Sequence, residues 1–205
     1  KNYFELGDKG IRMLEKIKKN YDVLIVTEIL EENKINILKN VVDIFQIGSR
    51  NMQNFPLISA VAKTKKPMII KRHYGASIRD LMASAEYALV ENNEKVILCE
   101  RGVSVPHTHR STSRFALDIQ AFPALNEYCN LPVISDPSHA CFWHKWVAPL
   151  AEASVAVGAN GMILEFHPDP RNSAVDPLQA LNFKEFGELI KRVKDLANFY
   201  KKIVI

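Results

Sequence analysis

His139, Glu165 and Asp176 offer one imidazole nitrogen and two carboxylates, a donor set suited to a divalent metal. They belong to two motifs, Asp136-Pro137-Ser138-His139 and Glu165-Phe166-His167-Pro168, with Asp176 eleven residues after Glu165. A third motif, Cys99-Glu100-Arg101-Gly102, offers a guanidinium to an anion. Each motif closes a short apolar run that reads as a buried strand. Each therefore sets ionisable side chains where a parallel sheet ends, the edge at which α/β folds bind ligands. Hard oxygens with a borderline nitrogen favour Mn, Fe, Co or Zn over Ca. The alternative for Glu165 is a simple ion pair with Arg or Lys at that edge.

Behind these motifs the chain alternates apolar runs with amphipathic stretches. The runs are Val23–Thr27, Asp43–Ile47, Met68–Lys71, Lys95–Cys99, Pro132–Ser135 and Gly161–Glu165. They are nearly continuous, as parallel strands buried on both faces require. Helical spacing marks Gly10–Asn20, Ser77–Asn92, Trp146–Val157 and Asn182–Tyr200, the last with Phe183, Phe186, Ile190, Val193 and Leu196 facing inward. Repeated βα units predict an α/β fold. Ionisable residues recur at most strand ends and must converge, which favours a (β/α)8 TIM barrel over an open sheet. Only six strands are visible, and a barrel takes about 250 residues. The expectation is one TIM-barrel domain over 1–205, lacking its first two βα units at the N-terminus.

A net charge of +4 on 205 residues is mild, and its basic runs, such as Lys16-Ile17-Lys18-Lys19, suit solvated helix faces rather than a nucleic-acid stripe. No apolar run approaches the ~20 residues that span a bilayer, and Lys1–Glu5 carries no signal-peptide apolar region. Three cysteines without a CxxC pair fit a reducing, cytoplasmic setting. Cys141, two residues from His139, is either a buried free thiol or a thiolate ligand.

Taken together, Gln46–Phe55 (QIGSRNMQNF), Lys71-Arg72, Ile97–Gly102 (ILCERG), Arg114–Asp118 (RFALD), Asp136–His139 (DPSH) and Glu165–Pro168 (EFHP) resemble the 3-deoxy-D-arabino-heptulosonate 7-phosphate (DAHP) synthase family, in its short barrel-only branch. The resemblance runs from about Phe4 to the C-terminus. It implies a (β/α)8 barrel that condenses phosphoenolpyruvate with erythrose 4-phosphate, the first step of the shikimate route to aromatic amino acids. It also implies a divalent metal held by a Cys, a His, a Glu and an Asp. The last three correspond to His139, Glu165 and Asp176; the Cys and a Lys-Pro-Arg-Thr loop would precede residue 1. Arg50, Lys71 and Arg101 match the phosphoenolpyruvate contacts, and Lys71 is a candidate proton donor or acceptor. Glu100 either orients that lysine or a water, or forms a structural ion pair. Arg114 is a second phosphate contact or a structural loop residue. His167 either bonds a ligand or water beside the metal or is structural. By the same resemblance the protein is a homodimer or homotetramer.

Several positions depart from the family pattern. His73 follows Lys71-Arg72 where Gly is usual, and the Val103–Ser113 loop, with Pro106, His107 and His109, is long. Ala140–Lys145 (ACFWHK) replaces a Gly-Arg-Arg-like run, and Pro177 replaces Gly after Asp176. They surround the second substrate, which keeps two alternatives open: a synthase acting on another aldose or aldose phosphate, and a non-catalytic paralogue.

Overall fold

The computed structural model describes residues 6–106 and 115–201. Two compact units emerge, one of residues 1–71 and 79–97, the other of 72–78 and 98–205.

In the first unit, α1 (Gly7–Asn20) precedes β1 (Val26–Glu28), and a short α2 (Ile35–Leu38) leads to β2 (Ile44–Ile47). Then come α3 (Phe55–Ala62), β3 (Met68–Lys71) and α4 (Ile78–Val90). β1 pairs with β2 and β2 with β3, all parallel. Met68 N–H donates to Lys95 O at 2.9 Å, where β4 (Val96–Glu100) begins. All four residues of β3 are buried, which is why its apolar run carries no alternation. Phe45, Ile47, Leu57, Ile58, Met68, Ile70 and Leu81 form the interior. The first strand starts later than its apolar run predicts, because Val23 and Leu24 are 50% and 70% exposed. α1 is amphipathic yet buries no residue; Ile17 is 40% exposed.

In the second unit the end of β4 pairs in parallel with β7 (Val133–Ser135), and β7 with β8 (Gly161–Met162). Between β4 and β7 in sequence, β5 (Val103–Ser104) and β6 (Phe115–Ala116) form an antiparallel pair, followed by α5 (Ala121–Tyr128). Residues 107–114 of the long loop, including His107, His109 and Arg114, lie outside the described residues. α6 (Pro137–Cys141), α7 (His144–Ala156) and α8 (Phe183–Phe199) complete the unit. Val147, Ala151, Leu181, Leu189 and Cys141 make its core, with Trp146, Met162, Phe186 and Val193 packed against it. α8 opens with a reciprocal capping box between Asn182 and Glu185. The predicted inward face of α8 needs correcting at its start: Phe183 is 59% exposed, and its ring meets Phe166 instead. The run predicted as Gly161–Glu165 is a strand only to Met162, although Ile163 N–H still donates to Ser135 O at 2.7 Å. No described helix is long and apolar enough to cross a membrane.

Candidate functional site

α6 is built to present one side chain. Asp136 caps it, accepting the His139 N–H at 3.1 Å, and Pro137 occupies its first turn, where a missing N–H costs nothing. The same carboxylate faces the imidazole: its two oxygens lie 3.0 and 2.8 Å from His139 Nδ1. Asp136 is fully buried, so this contact fixes the ring plane and turns Nε2 the other way. There Nε2 meets Glu165 Oε1 at 3.0 Å and Asp176 Oδ2 at 4.0 Å.

Glu165 is steered from two sides. Its backbone N–H donates to Ser138 Oγ at 3.0 Å, and its Oε2 accepts from Gln179 Nε2 at 2.7 Å. Burial pushes its carboxyl up from the ordinary range; His139 and Gln179 pull it down, and the negative charge of Asp176 and Asp136 pushes it up again. Asp176 sits at φ +49°, a left-handed conformation that Asp tolerates better than most residues, directly before Pro177.

One nitrogen and two carboxylate oxygens from His139, Glu165 and Asp176 all lie within 4.8 Å of one another. Two ligands held at about 2.1 Å from one ion stand roughly 3–4 Å apart, so the 3.0 and 4.0 Å separations suit a shared divalent cation. The donor chemistry fits as well, since two carboxylates crowded beside a buried third gain from a positive charge. Cys141 does not join them. It is buried, its thiol donates to Trp143 O at 3.3 Å, and burial pushes it up to about 11, away from a ready thiolate. His167 is not in the cluster either; its Nδ1 accepts the Asp169 N–H at 3.0 Å.

β4 delivers the second part of the site. Glu100 is fully buried, with Oε2 at 2.8 Å from Arg72 Nη1. Its Oε1 accepts the Gly102 N–H at 2.7 Å and the Asp118 N–H at 3.3 Å. Arg72 Nη1 also meets Asp118 Oδ2 at 2.8 Å, and its Nε donates to Ala76 O at 2.8 Å. Burial raises the Glu100 carboxyl against the opposing pull of Arg72 and the two N–H groups. These contacts make Glu100 one partner of a buried ion pair with Arg72. Arg101 follows, 8% exposed, with its guanidinium carbon 4.6 Å from the Phe115 ring centroid. Asp136 N–H donates to Glu100 O at 2.8 Å, so the strand end bearing Arg101 adjoins the cap of the His139 helix.

In the first unit, Lys71 is the buried last residue of β3, and Arg50 lies exposed in the turn Ser49–Asn51 after β2. Both stand at the carboxyl ends of their strands. Sequence reasoning missed Asp136 as the imidazole's partner, Gln179, and the Arg72–Asp118 contact. Of these, Asp136 alone had a local sign: an Asp-Pro pair opening a helix, three residues before a His.

The model of the DAHP synthetase I family matches residues 5–202. The chain belongs to the DAHP synthetase I family. It is 40% identical over 193 residues to the phospho-2-dehydro-3-deoxyheptonate aldolase of Thermotoga maritima, covering 94% of this chain and 56% of that protein. It is 30% identical over 200 residues to the 2-dehydro-3-deoxyphosphooctonate aldolase of Acinetobacter baylyi, covering 92% and 68%. The crystal structure of the Thermotoga enzyme, also called DAHP synthase, superposes with a TM-score of 0.93 at 38% identity over 99% of this chain and 59% of that one. A truncated form of that synthase also gives 0.93, covering 98% and 76%. The chain thus spans a little over half the length of the Thermotoga protein. The α/β fold of a (β/α)8-barrel family, expected from the alternating pattern, is the fold observed.

Proposed function

We propose that this DAHP synthetase I chain carries the metal and anion-binding parts of a synthase that condenses phosphoenolpyruvate with erythrose 4-phosphate, giving DAHP and phosphate. The observation that carries the reading is the convergence of His139, Glu165 and Asp176, in a chain whose relatives include a phospho-2-dehydro-3-deoxyheptonate aldolase. These three residues would hold a divalent ion such as Mn, Fe, Co or Zn, which when bound supplies Lewis acidity toward an aldehyde oxygen. Arg50, Lys71 and Arg101 are the cations we assign to phosphoenolpyruvate. Arginine suits its phosphate or carboxylate because the planar fork makes two parallel hydrogen bonds; lysine adds a compact charge and can move a proton at the reacting enol. Asp136 and Gln179 orient the ligands. Glu100, with its oxygens occupied by Arg72, Gly102 and Asp118, shapes the Arg101 turn instead of exchanging protons.

A second reading has its own support. A relative at 30% identity is named for an eight-carbon product, which requires a five-carbon aldose phosphate as the partner of phosphoenolpyruvate. One experiment separates the two. Full-length protein with metal and phosphoenolpyruvate is given the four-carbon or the five-carbon aldose phosphate, and phosphate release is followed. Release with erythrose 4-phosphate is expected; release only with the five-carbon sugar supports the alternative, and release with neither refutes both. Glu165→Ala is expected to abolish turnover and lower bound metal. Normal metal content in that variant counts against the ligand assignment.

A further inference from the structure

Arg101 is held on two sides before any ligand arrives. On one side, Glu100 Oε1 accepts the N–H of Gly102, which adopts φ +98°, a conformation that favours glycine. A Cβ at Gly102 would stand 2.9 Å from Phe115 Cβ and 3.0 Å from Ala140 Cα, so the turn is pressed between β6 and the helix that bears His139. On the other side, the Arg101 guanidinium carbon lies 4.6 Å from the Phe115 ring centroid, within the ~6 Å reach of a cation–π contact. The stack continues: Phe115 meets the Tyr74 ring at 5.1 Å, and Tyr74 meets His73 at 4.0 Å. Ser104 N–H donates to Tyr74 O at 2.7 Å, tying β5 to this segment. A flexible arginine loses rotamer freedom when it binds an anion; one already laid on a ring has lost it in advance.

We propose that Phe115 is a positioning residue: its ring, backed by Tyr74 and His73, preorganises Arg101 for the anionic end of phosphoenolpyruvate. The inference rests on the proposed function for the identity of that anion. It adds a residue that touches no substrate itself and acts through Arg101.

The test is a double-mutant cycle on the full-length protein, with the Kd for phosphoenolpyruvate measured by calorimetry and folding checked by thermal melting. Arg101→Ala is expected to weaken binding on the order of 30-fold, the loss of charge-assisted hydrogen bonds. Phe115→Leu should weaken it about 3- to 10-fold. In the Arg101→Ala background it should add nothing, and Phe115→Tyr, which keeps the ring face, should bind within about 2-fold of wild type. Wild-type binding by Phe115→Leu, or the same loss with and without Arg101, overturns the positioning role alone. Wild-type binding by Arg101→Ala overturns the functional reading and this inference with it. Should Phe115→Leu fail to fold, Phe115→Met replaces it under the same outcomes.

Discussion

Asp136→Asn is the perturbation that most directly tests how this site is assembled. In the native protein one buried carboxylate accepts both the His139 main-chain N–H, at 3.1 Å, and the imidazole Nδ1, at 2.8 and 3.0 Å to its two oxygens. An amide has one acceptor and one donor. If the amide oxygen keeps the helix cap, its NH2 faces Nδ1 and demands a lone pair there, which moves the ring proton to Nε2, the atom facing Glu165 and Asp176. If the amide flips, Nδ1–H is satisfied but the cap is lost. In the first case both contacts survive but the lone pair facing Glu165 and Asp176 is gone; in the second the ring is held and the cap is lost; in both the imidazole loses the charged carboxylate that orients it. The expected outcome is a 10- to 100-fold loss of metal affinity, about 1.4–2.7 kcal/mol.

The assay is titration of metal-stripped full-length protein with Co(II) or Mn(II). Thermal melting separates orientation from folding. Asn caps a helix about as well as Asp, so Asp136→Asn should move Tm by less than about 2 °C, whereas Asp136→Ala also loses roughly 1 kcal/mol of capping and about 2–4 °C. Asp136→Asn binding metal as tightly as the native protein, while Glu165→Ala does not, would refute the reasoning: the imidazole would then be held by something other than this carboxylate.

Gly102→Ala should destabilise by about 2–5 kcal/mol, from the strain of φ +98° plus a Cβ forced against Phe115 and Ala140. That corresponds to a Tm loss of roughly 5–15 °C, and an unchanged melting curve would contradict the tight turn. Asp43 accepts the Ile25 N–H at 2.8 Å and pairs with Lys18, and these contacts hold its carboxyl below the ordinary 3.8. Its contribution is therefore present above pH 3.8 and fades as the pH falls below it. Denaturant melts of the native protein and Asp43→Asn should differ by about 0.5–1 kcal/mol at neutral pH and converge in acid; a gap that persists at low pH would show that the charge is not its source.

How much of this was legible from sequence depended on burial. Met68–Lys71 was readable to the residue because a strand covered on both faces is apolar throughout. Val23 and Leu24 misled for the same reason in reverse: they are apolar but exposed, so hydropathy put the first strand too early. The helix Phe55–Ala62 escaped because it is apolar nearly all round and opens with Pro56, leaving no polar stripe; its cue was the Asn54 cap, which accepts the Leu57 N–H. Pro137–Cys141 is too short for any period to show. The grouping of His139, Glu165 and Asp176 rested mainly on family resemblance, since no local rule joins residue 139 to residue 176. Glu100's role stayed open for a related reason. Its partner, Arg72, adjoins Lys71, and consecutive residues of an extended chain point to opposite sides. No linear reading shows the 2.8 Å contact that Arg72 makes with Glu100.

Glu100 and Asp136 each serve twice, joining β4 to the His139 helix through backbone and orienting a site residue through the carboxylate. A change at either would disturb the Arg101 turn and the His139–Glu165–Asp176 cluster together. The altered positions lie around them. His73 backs the aromatic stack. Trp143 and His144 begin α7, where His144 Nδ1 meets Glu185 Oε1 at 3.3 Å and the Trp143 and His144 rings approach to 5.1 Å. Phe142 takes φ +54°, an uncommon choice for an aromatic residue at a helix end that glycine usually fills. Phe142, Trp143 and His144 follow the His139 helix directly in the chain, and none of the substitutions replaces His139, Glu165 or Asp176. Under the proposed function they are where selection among aldose phosphates would change while the chemistry at phosphoenolpyruvate stayed fixed, which makes the four-carbon and five-carbon sugars the decisive comparison.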